Sequence, residues 1–130
     1  ILYADSPYEA NLHNVPIVSS LVKTAGDNYE VTIPTLDAIL GDKLTAYAPN
    51  TTGIPYGVGK AMEIIKQLYD IDKIFNHVDS SKVVKEVFDT TVKRELTYRE
   101  LTESANGVLS DIFQTSLCIA TRGGRWKWKF

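Results

Sequence analysis

The pattern of apolar and polar positions predicts one clear strand near the start of the chain. Between Asn28 and Ile33, apolar side chains occupy every second position, which is typical of a half-buried strand, and Pro34 ends the pattern. Residues 1–4 have the composition expected at the end of another strand. The segment from Val15 to Val22 fits a short helix or a strand equally well, so its structure stays open.

Beyond the strand, apolar residues recur at the spacing of helices. Thr35 is a favourable N-cap for the first helix, and Pro49 stops its pattern. A loop with two prolines and three glycines then covers residues 49–59. The expected helices are residues 35–47, about 60–75, a third that starts near 79–81, a short one opened by the capping box Thr97-Tyr98-Arg99-Glu100, and a last one over about 105–120 that ends at Gly123-Gly124.

Each long helix has an apolar face that we expect to be buried. These faces are Ala61, Ile64, Leu68, Ile71 and Phe75 in the second helix, Val84, Val87, Phe88, Thr91 and Val92 in the third, and Val108, Leu109, Ile112, Phe113 and Leu117 in the last.

Together the elements predict an α+β fold that is mostly helical, in a single domain over residues 1–130. A strand-containing edge (1–34) would precede a helical region (35–122) and a basic-aromatic tail (123–130). Because the chain begins at Ile1 without a methionine, and because its strands could lack pairing partners within it, we expect the chain to be a fragment of a longer protein. An exposed strand edge could also pair copies of the chain into a homo-oligomer.

Composition is that of an ordinary soluble globular protein and excludes several classes. Hydrophobic residues make up 44% and charged residues 23% of the 130 positions, and the formal net charge is −2, which argues against a basic surface over the whole molecule. No apolar run is long enough to cross a bilayer, so no membrane partner is expected. The single cysteine, Cys118, forms no internal disulfide, and without a signal-peptide pattern we expect a cytoplasmic protein.

A lysine interrupts the apolar face of the first helix. Lys43 falls in the middle of the face formed by Leu36, Ile39, Leu40, Leu44, Ala46 and Tyr47. Burying an ammonium group without a partner costs free energy. Lys43 therefore either extends along the apolar stripe to place its charge in water, or is held by apolar neighbours and directed at an anion such as a phosphate.

The second helix carries a polar face opposite its apolar one, made of Glu63, Lys66, Gln67, Asp70 and Lys73. Lys66 and Asp70 are four residues apart, a spacing that forms a weak helical ion pair. On spacing alone, this pattern favours a solvated face.

Other candidate chemistry gives weaker signals. The segment Gly57-Val58-Gly59-Lys60 is glycine-rich before a helix but lacks the spacing and the preceding strand of a Walker motif. His13 and His77 have no Cys or carboxylate neighbours at metal-ligand spacing, so no zinc site is expected, and Cys118 fits a core position. The tail from Arg122 to Phe130 interleaves cations with aromatic rings, which suits contacts with RNA or an amphipathic edge strand.

Two segments carry a resemblance to a known family. The first runs from Val31 to Ala46 (VTIPTLDAILGDKLTA), and the second is Lys66-Gln67-Leu68-Tyr69-Asp70-Ile71. Residues 29–75 resemble the AbiEii/AbiGii nucleotidyltransferase toxin family, in which a strand ending in proline precedes a helix with a Lys-Leu-x-Ala core. Lys43-Leu44-x-Ala46 matches that core. Lys66 and Asp70 match the basic residue and the second Asp of a later helix, whereas Gln67 replaces the first Asp.

The resemblance implies the helical half of a polymerase-beta-like nucleotidyltransferase, which transfers a nucleotide from an NTP with the help of Mg²⁺. Some family members modify tRNA acceptor ends and are toxins paired with an antitoxin protein. By resemblance, Lys43 and Asp70 would be catalytic, with Lys43 on the triphosphate and Asp70 orienting it. Lys66 would support the phosphates or the RNA acceptor.

The resemblance also implies a metal site that this chain lacks. In the family, the metal-binding carboxylates follow a Gly-Ser motif, and the chain contains no Gly-Ser pair. We therefore expect Mg²⁺ only in the full-length enzyme and expect this chain alone to be inactive. The alternative is a non-catalytic helical module that binds RNA or an antitoxin.

Overall fold

The computed structural model describes residues 6–8, 10–21, 23 and 25–121 of the chain. In this part of the chain, two strands and four helices follow one another, which confirms the α+β, mostly helical fold. The elements are β1 (Leu12–Pro16), β2 (Glu30–Pro34), α1 (Leu36–Ala46), α2 (Ala61–Phe75), α3 (Ser81–Tyr98) and α4 (Ala105–Ala120). The expected strand end at residues 1–4, the glycine pair that would end the last helix and the basic-aromatic tail lie outside the described residues.

The two strands form one antiparallel sheet. Leu12 lies opposite Pro34 and Pro16 lies opposite Glu30. β2 confirms the predicted strand. The segment from Val15 to Val22 fitted a helix or a strand equally well, and its first two residues belong to β1. β2 therefore has a pairing partner within the chain.

α1 begins and ends where its caps predict, and it buries Leu40 and Tyr47 of the expected face together with residues outside that face. The Thr35 hydroxyl accepts a hydrogen bond from the Ala38 amide at the N-cap. Leu36, on the expected face, is 46% exposed, whereas Gly41 is buried. A Cβ atom at Gly41 would lie only 2.6 Å from the Val84 carbonyl oxygen of α3. The buried side therefore extends beyond the expected face, because this glycine lets α3 approach the side of α1 where the residues are small.

α2 spans the predicted residues, and its buried side is also displaced from the predicted one. Ile64 is buried as expected, but Phe75 is 66% exposed. Asp70, predicted on a solvated face, is partly buried and contacts Lys43 of α1. The expected solvated face is therefore wrong at Asp70, because α1 packs along that side of α2.

The short helix predicted from the capping box Thr97-Tyr98-Arg99-Glu100 is wrong. α3 begins after Ser80 and runs through Tyr98, and the Thr97 hydroxyl donates to the Lys93 carbonyl oxygen inside that helix. Glu100 has a φ of 55°, which turns the chain away from a helical path. The next helix, α4, starts only after Ser104, whose hydroxyl accepts from the Gly107 amide.

α4 closes the core with a face that differs from the expected one. Leu109 and Phe113 were expected inside but are 47% and 63% exposed. The residues that α4 buries are Val108, Asp111, Thr115 and Cys118. Two of them are polar and form hydrogen bonds there, which an apolar pattern does not register. Val108 joins Ala48, Phe88, Val92 and Leu96 in the main apolar cluster.

None of the helices in the described ranges combines the length and the apolar character that crossing a bilayer requires.

Candidate functional site

Lys43 and Asp70 come together although 27 positions separate them in sequence. Lys43 projects from the second half of α1, and its Nζ atom lies 2.9 Å from Oδ2 of Asp70 on α2. Their side chains are only 28% and 23% exposed. The ammonium group therefore has a carboxylate partner at the junction of two helices. The sequence shows no such partner near Lys43 along the chain and leaves the approach of Asp70 to the fold.

Lys66 completes a group of three charged side chains. Its Nζ atom lies 2.8 Å from the same Oδ2 atom of Asp70, one turn earlier on α2, and its side chain is 65% exposed. We call Lys43, Lys66 and Asp70 the lysine–aspartate cluster. The structure thus places together the three residues that the resemblance selected as a site.

The cluster has an excess of positive charge. The hydrogen bonds from Lys66 and Lys43 hold the pKa of the Asp70 carboxyl below its usual value, so the group is ionised at neutral pH. Two lysines and one carboxylate leave one net positive charge. Each ammonium has three N–H donors, so an anion can bind to it without displacing Asp70.

A buried carboxylate on α4 fixes the loop that joins α1 to α2. Asp111 accepts hydrogen bonds from the Asn50 amide at 2.8 Å, the Asn50 Nδ2 atom at 2.6 Å and the Thr51 hydroxyl at 2.9 Å. Bonds to a charged acceptor are stronger than those between neutral groups. Sequence reasoning missed Asp111, although an aspartate in the middle of an apolar helix was a visible signal.

A second missed contact ties the segment before β1 to α1. The Tyr8 hydroxyl donates to Oδ2 of Asp42 at 2.6 Å. Burial of the phenol, followed by this hydrogen bond, raises the pKa of Tyr8 well above its usual value. Asp42 precedes Lys43 in α1, so this bond also fixes the helix from which Lys43 projects.

The two histidines line one shallow cavity of about 330 Å³ together with Asp37 and Asp79. The Asp37 carboxylate is engaged there, because it accepts hydrogen bonds from the backbone amides of Asp79 and Ser80. Within residues 6–8, 10–21, 23 and 25–121, no three His, Cys, Asp or Glu side chains are arranged to hold a metal ion.

Comparisons of the chain with models of protein families, with curated proteins and with solved structures give no match. The roles of the lysine–aspartate cluster are therefore argued from its geometry and from the motifs that contain it.

Proposed function

We propose that this chain forms the helical part of an NTP-dependent nucleotidyltransferase that acts on an RNA acceptor such as tRNA. The observation that supports the proposal best is the convergence of Lys43 and Lys66 on one oxygen of Asp70. Nucleotidyl transfer builds up negative charge on the leaving phosphates, and fixed cations stabilise that charge. Two ammonium groups held by a shared carboxylate provide such a contact.

Each member of the cluster has a distinct part in this proposal. Lys43 is the less exposed lysine, so water screens its interaction with a triphosphate less. Lys66 is more exposed and supports the phosphates or the acceptor strand. Asp70 keeps both ammonium groups in place, so that little reorganisation is needed when the triphosphate binds.

The proposed reaction requires more than the described residues supply. Mg²⁺, where bound, would neutralise phosphate charge, and its ligands would be carboxylates that follow a Gly-Ser motif elsewhere in the full-length enzyme. The sequence of the complete reading frame tests this directly. A Gly-Ser pair followed by spaced aspartates favours the enzyme, and its absence favours a binding module.

The decisive experiment is Lys43→Met in the protein expressed from the complete reading frame. Transfer of label from each NTP to total tRNA is measured, beside Lys73→Met as the control. Lys73 is 61% exposed on α2 and lies outside the cluster. We expect Lys43→Met to lower the rate by about 10²-fold or more while folding persists, because a preorganised charge contact is lost. Equal rates in the two variants would make Lys43 structural.

A second candidate function, a non-catalytic module, is favoured by an exposed apolar stripe on α2. Met62, Ile65 and Tyr69 lie on one side of this helix and are 75%, 44% and 61% exposed. The Lys73 ammonium lies 5.1 Å from the centre of the Tyr69 ring. In this candidate function the stripe binds a protein such as an antitoxin. Tyr69→Asp would then abolish the complex, whereas Lys43→Met would leave it intact.

A further inference from the structure

A cleft of about 550 Å³ lies between the end of α1, the α1–α2 loop and the end of α3. Its volume is within the range of small-ligand sites. Ile54, Pro55 and Val58 of the loop supply its apolar surface. None of the three residues of the lysine–aspartate cluster lines it. Asp42 does, and it precedes Lys43 in the chain, so the cleft and the cluster share the last turns of α1.

The loop side of this cleft is rigidly held. The Gly53 amide donates to the Ala48 carbonyl oxygen at 2.7 Å, and the Thr52 hydroxyl donates to the Thr45 carbonyl oxygen at 2.8 Å. A Cβ atom at Gly53 would lie only 2.5 Å from the Ala46 carbonyl oxygen, so the loop is packed directly on the helix end. A ligand that enters the cleft meets a preformed surface, which lowers the entropic cost of binding.

Two cations and two carboxylates line the cleft, and both carboxylates already have partners in the protein. Glu95 lies 3.6 Å from the Nε atom of Arg99 and 3.9 Å from that of Arg94. Asp42 accepts the hydrogen bond from Tyr8. Lys60 takes part in no ion pair within the part of the chain that the structure describes.

The side chain of Arg99 is positioned to contact a ligand in the cleft. Its Nη1 atom donates to the Gly53 carbonyl oxygen at 3.3 Å, which fixes the guanidinium group at the cleft. A guanidinium has five N–H donors, so several stay available for an anion. Lys60 therefore supplies a cation without an ion-pair partner among the described residues. Arg99, whose charge Glu95 offsets, supplies N–H donors next to the apolar surface of the loop.

We propose that this cleft binds a nucleotide unit, with its phosphate at Arg99 and Lys60 and its base against Ile54, Pro55 and Val58. An apolar surface beside Lys60 and the N–H donors of Arg99 matches the base and the phosphate of a nucleotide. The proposal rests on the nucleotidyltransferase function above and adds a second nucleotide subsite to the lysine–aspartate cluster. A residue of the acceptor RNA and a free NTP share this chemistry, so the experiment measures both.

Binding is measured by fluorescence anisotropy with a short labelled single-stranded RNA and, separately, with a fluorescent ATP analogue. The cleft variants are Arg99→Gln and Val58→Asp. Val58 is 54% exposed, so its substitution tests the cleft without opening the core. Lys93→Gln, at an exposed cation on α3, and Val18→Asp, at an exposed apolar residue after β1, are the matched controls.

We expect each cleft variant to weaken binding of at least one probe by about tenfold, while the controls bind as the unmodified chain does. For RNA, Arg99→Gln should also reduce the slope of log Kd against log salt concentration by about 0.7, the effect of one lost phosphate contact. Loss of RNA binding alone assigns the cleft to the acceptor, and loss of ATP binding alone assigns it to the NTP.

Three outcomes would overturn the nucleotide subsite. These are no binding of either probe to the unmodified chain, unchanged affinities in both cleft variants, and equal losses in the control variants. Binding is measured without transfer, so this result is separate from the Lys43→Met experiment. A chain that binds nucleotides in the cleft but whose full-length protein keeps its transfer rate after Lys43→Met would retain this subsite and lose the proposed catalytic role.

Discussion

The carboxylate of Asp70 holds a lysine from its own helix and a lysine from another. Lys66 is one turn away on α2 and well exposed, so water screens that pair and its contribution to stability is small. Lys43 comes from α1 and has lost more of its hydration. Removing Asp70 would leave the Lys43 ammonium at the helix junction without a carboxylate. The pair with Lys43 is therefore a partly buried contact between helices, whereas the pair with Lys66 is a surface contact within one helix.

This arrangement predicts how acid acts on the fold. The two lysines lower the pKa of Asp70 in the folded protein, with Lys66 as the larger cause, whereas an unfolded aspartate has a pKa of about 3.9. A depressed pKa in the folded state means that the ionised carboxylate stabilises the fold above about pH 4. This contribution is lost as the pH falls through the folded value.

An NMR titration of the Asp70 carboxyl carbon measures this effect. We expect Lys66→Met and Lys43→Met each to raise the pKa of Asp70, because each removes a hydrogen bond and a positive charge from the carboxylate. Lys73→Met removes a cation from the same helix that does not contact Asp70, and it should leave the titration nearly unchanged. A pKa of about 3.9 in the unmodified protein would contradict the pairing.

At the level of elements, the crossing of α1 over α3 depends on Gly41. In a free helix, alanine is more favourable than glycine by about 1 kcal/mol. Here an added Cβ would meet the Val84 carbonyl oxygen at 2.6 Å and the Phe88 amide nitrogen at 3.0 Å. We expect Gly41→Ala to lower the free energy of unfolding by about 1–3 kcal/mol, measured by urea denaturation.

The control for this substitution is Thr90→Ala on the exposed side of α3. It should raise stability by about 0.5 kcal/mol through helix propensity alone. A stabilising effect of Gly41→Ala would show that the two helices do not touch at this point.

Helices were predictable from this sequence because their signals are local. The N-cap at Thr35 and the spacing of apolar residues in α2 each depend on residues within a few turns of the same helix. The direction of each buried face depends on distant partners. A pattern of apolar residues does not show that the backbone of α3 packs against Gly41. It also does not show that Asp111 is buried beside hydrogen-bond donors from the loop.

The candidate site was predictable only in part, for the same reason. The resemblance selected Lys43, Lys66 and Asp70, and the four-residue spacing already indicated the contact between Lys66 and Asp70. The contact of Lys43 with Asp70 joins two helices across a long loop, which no local spacing encodes. Arg99 was missed because its partner, the Gly53 carbonyl oxygen, is 46 positions away.

For the whole molecule, the two-stranded sheet leaves apolar side chains at the surface. Val15 pairs with Val31, and His13 pairs with Ile33, so these side chains share one face. Val31 and Ile33 are 40% and 37% exposed, and Tyr29 is 84% exposed. Open strand edges next to apolar side chains favour pairing with other strands.

We therefore expect copies of the chain to associate through the sheet. In sedimentation velocity experiments, the apparent mass should rise with concentration in the low micromolar range. Replacing both Val31 and Ile33 by lysine should suppress this rise, because charged edges resist pairing. A monomer at every concentration would contradict association through the sheet.

The hydrogen bonds of Asp111 also have a consequence for how the protein is made. The bond from Asn50 to Asp111 spans 61 positions, so the ribosome releases α1, its loop, α2 and α3 before the carboxylate that anchors the loop exists. At about 5–20 residues per second, translation leaves the loop without this anchor for roughly 3–12 s. During that interval α1 with Lys43 and α2 with Asp70 have both been synthesised, but the loop between them is not yet bonded to Asp111. A transcript that stops before α4 would therefore yield a protein whose loop keeps its hydrogen bonds to the end of α1 but never gains those to Asp111.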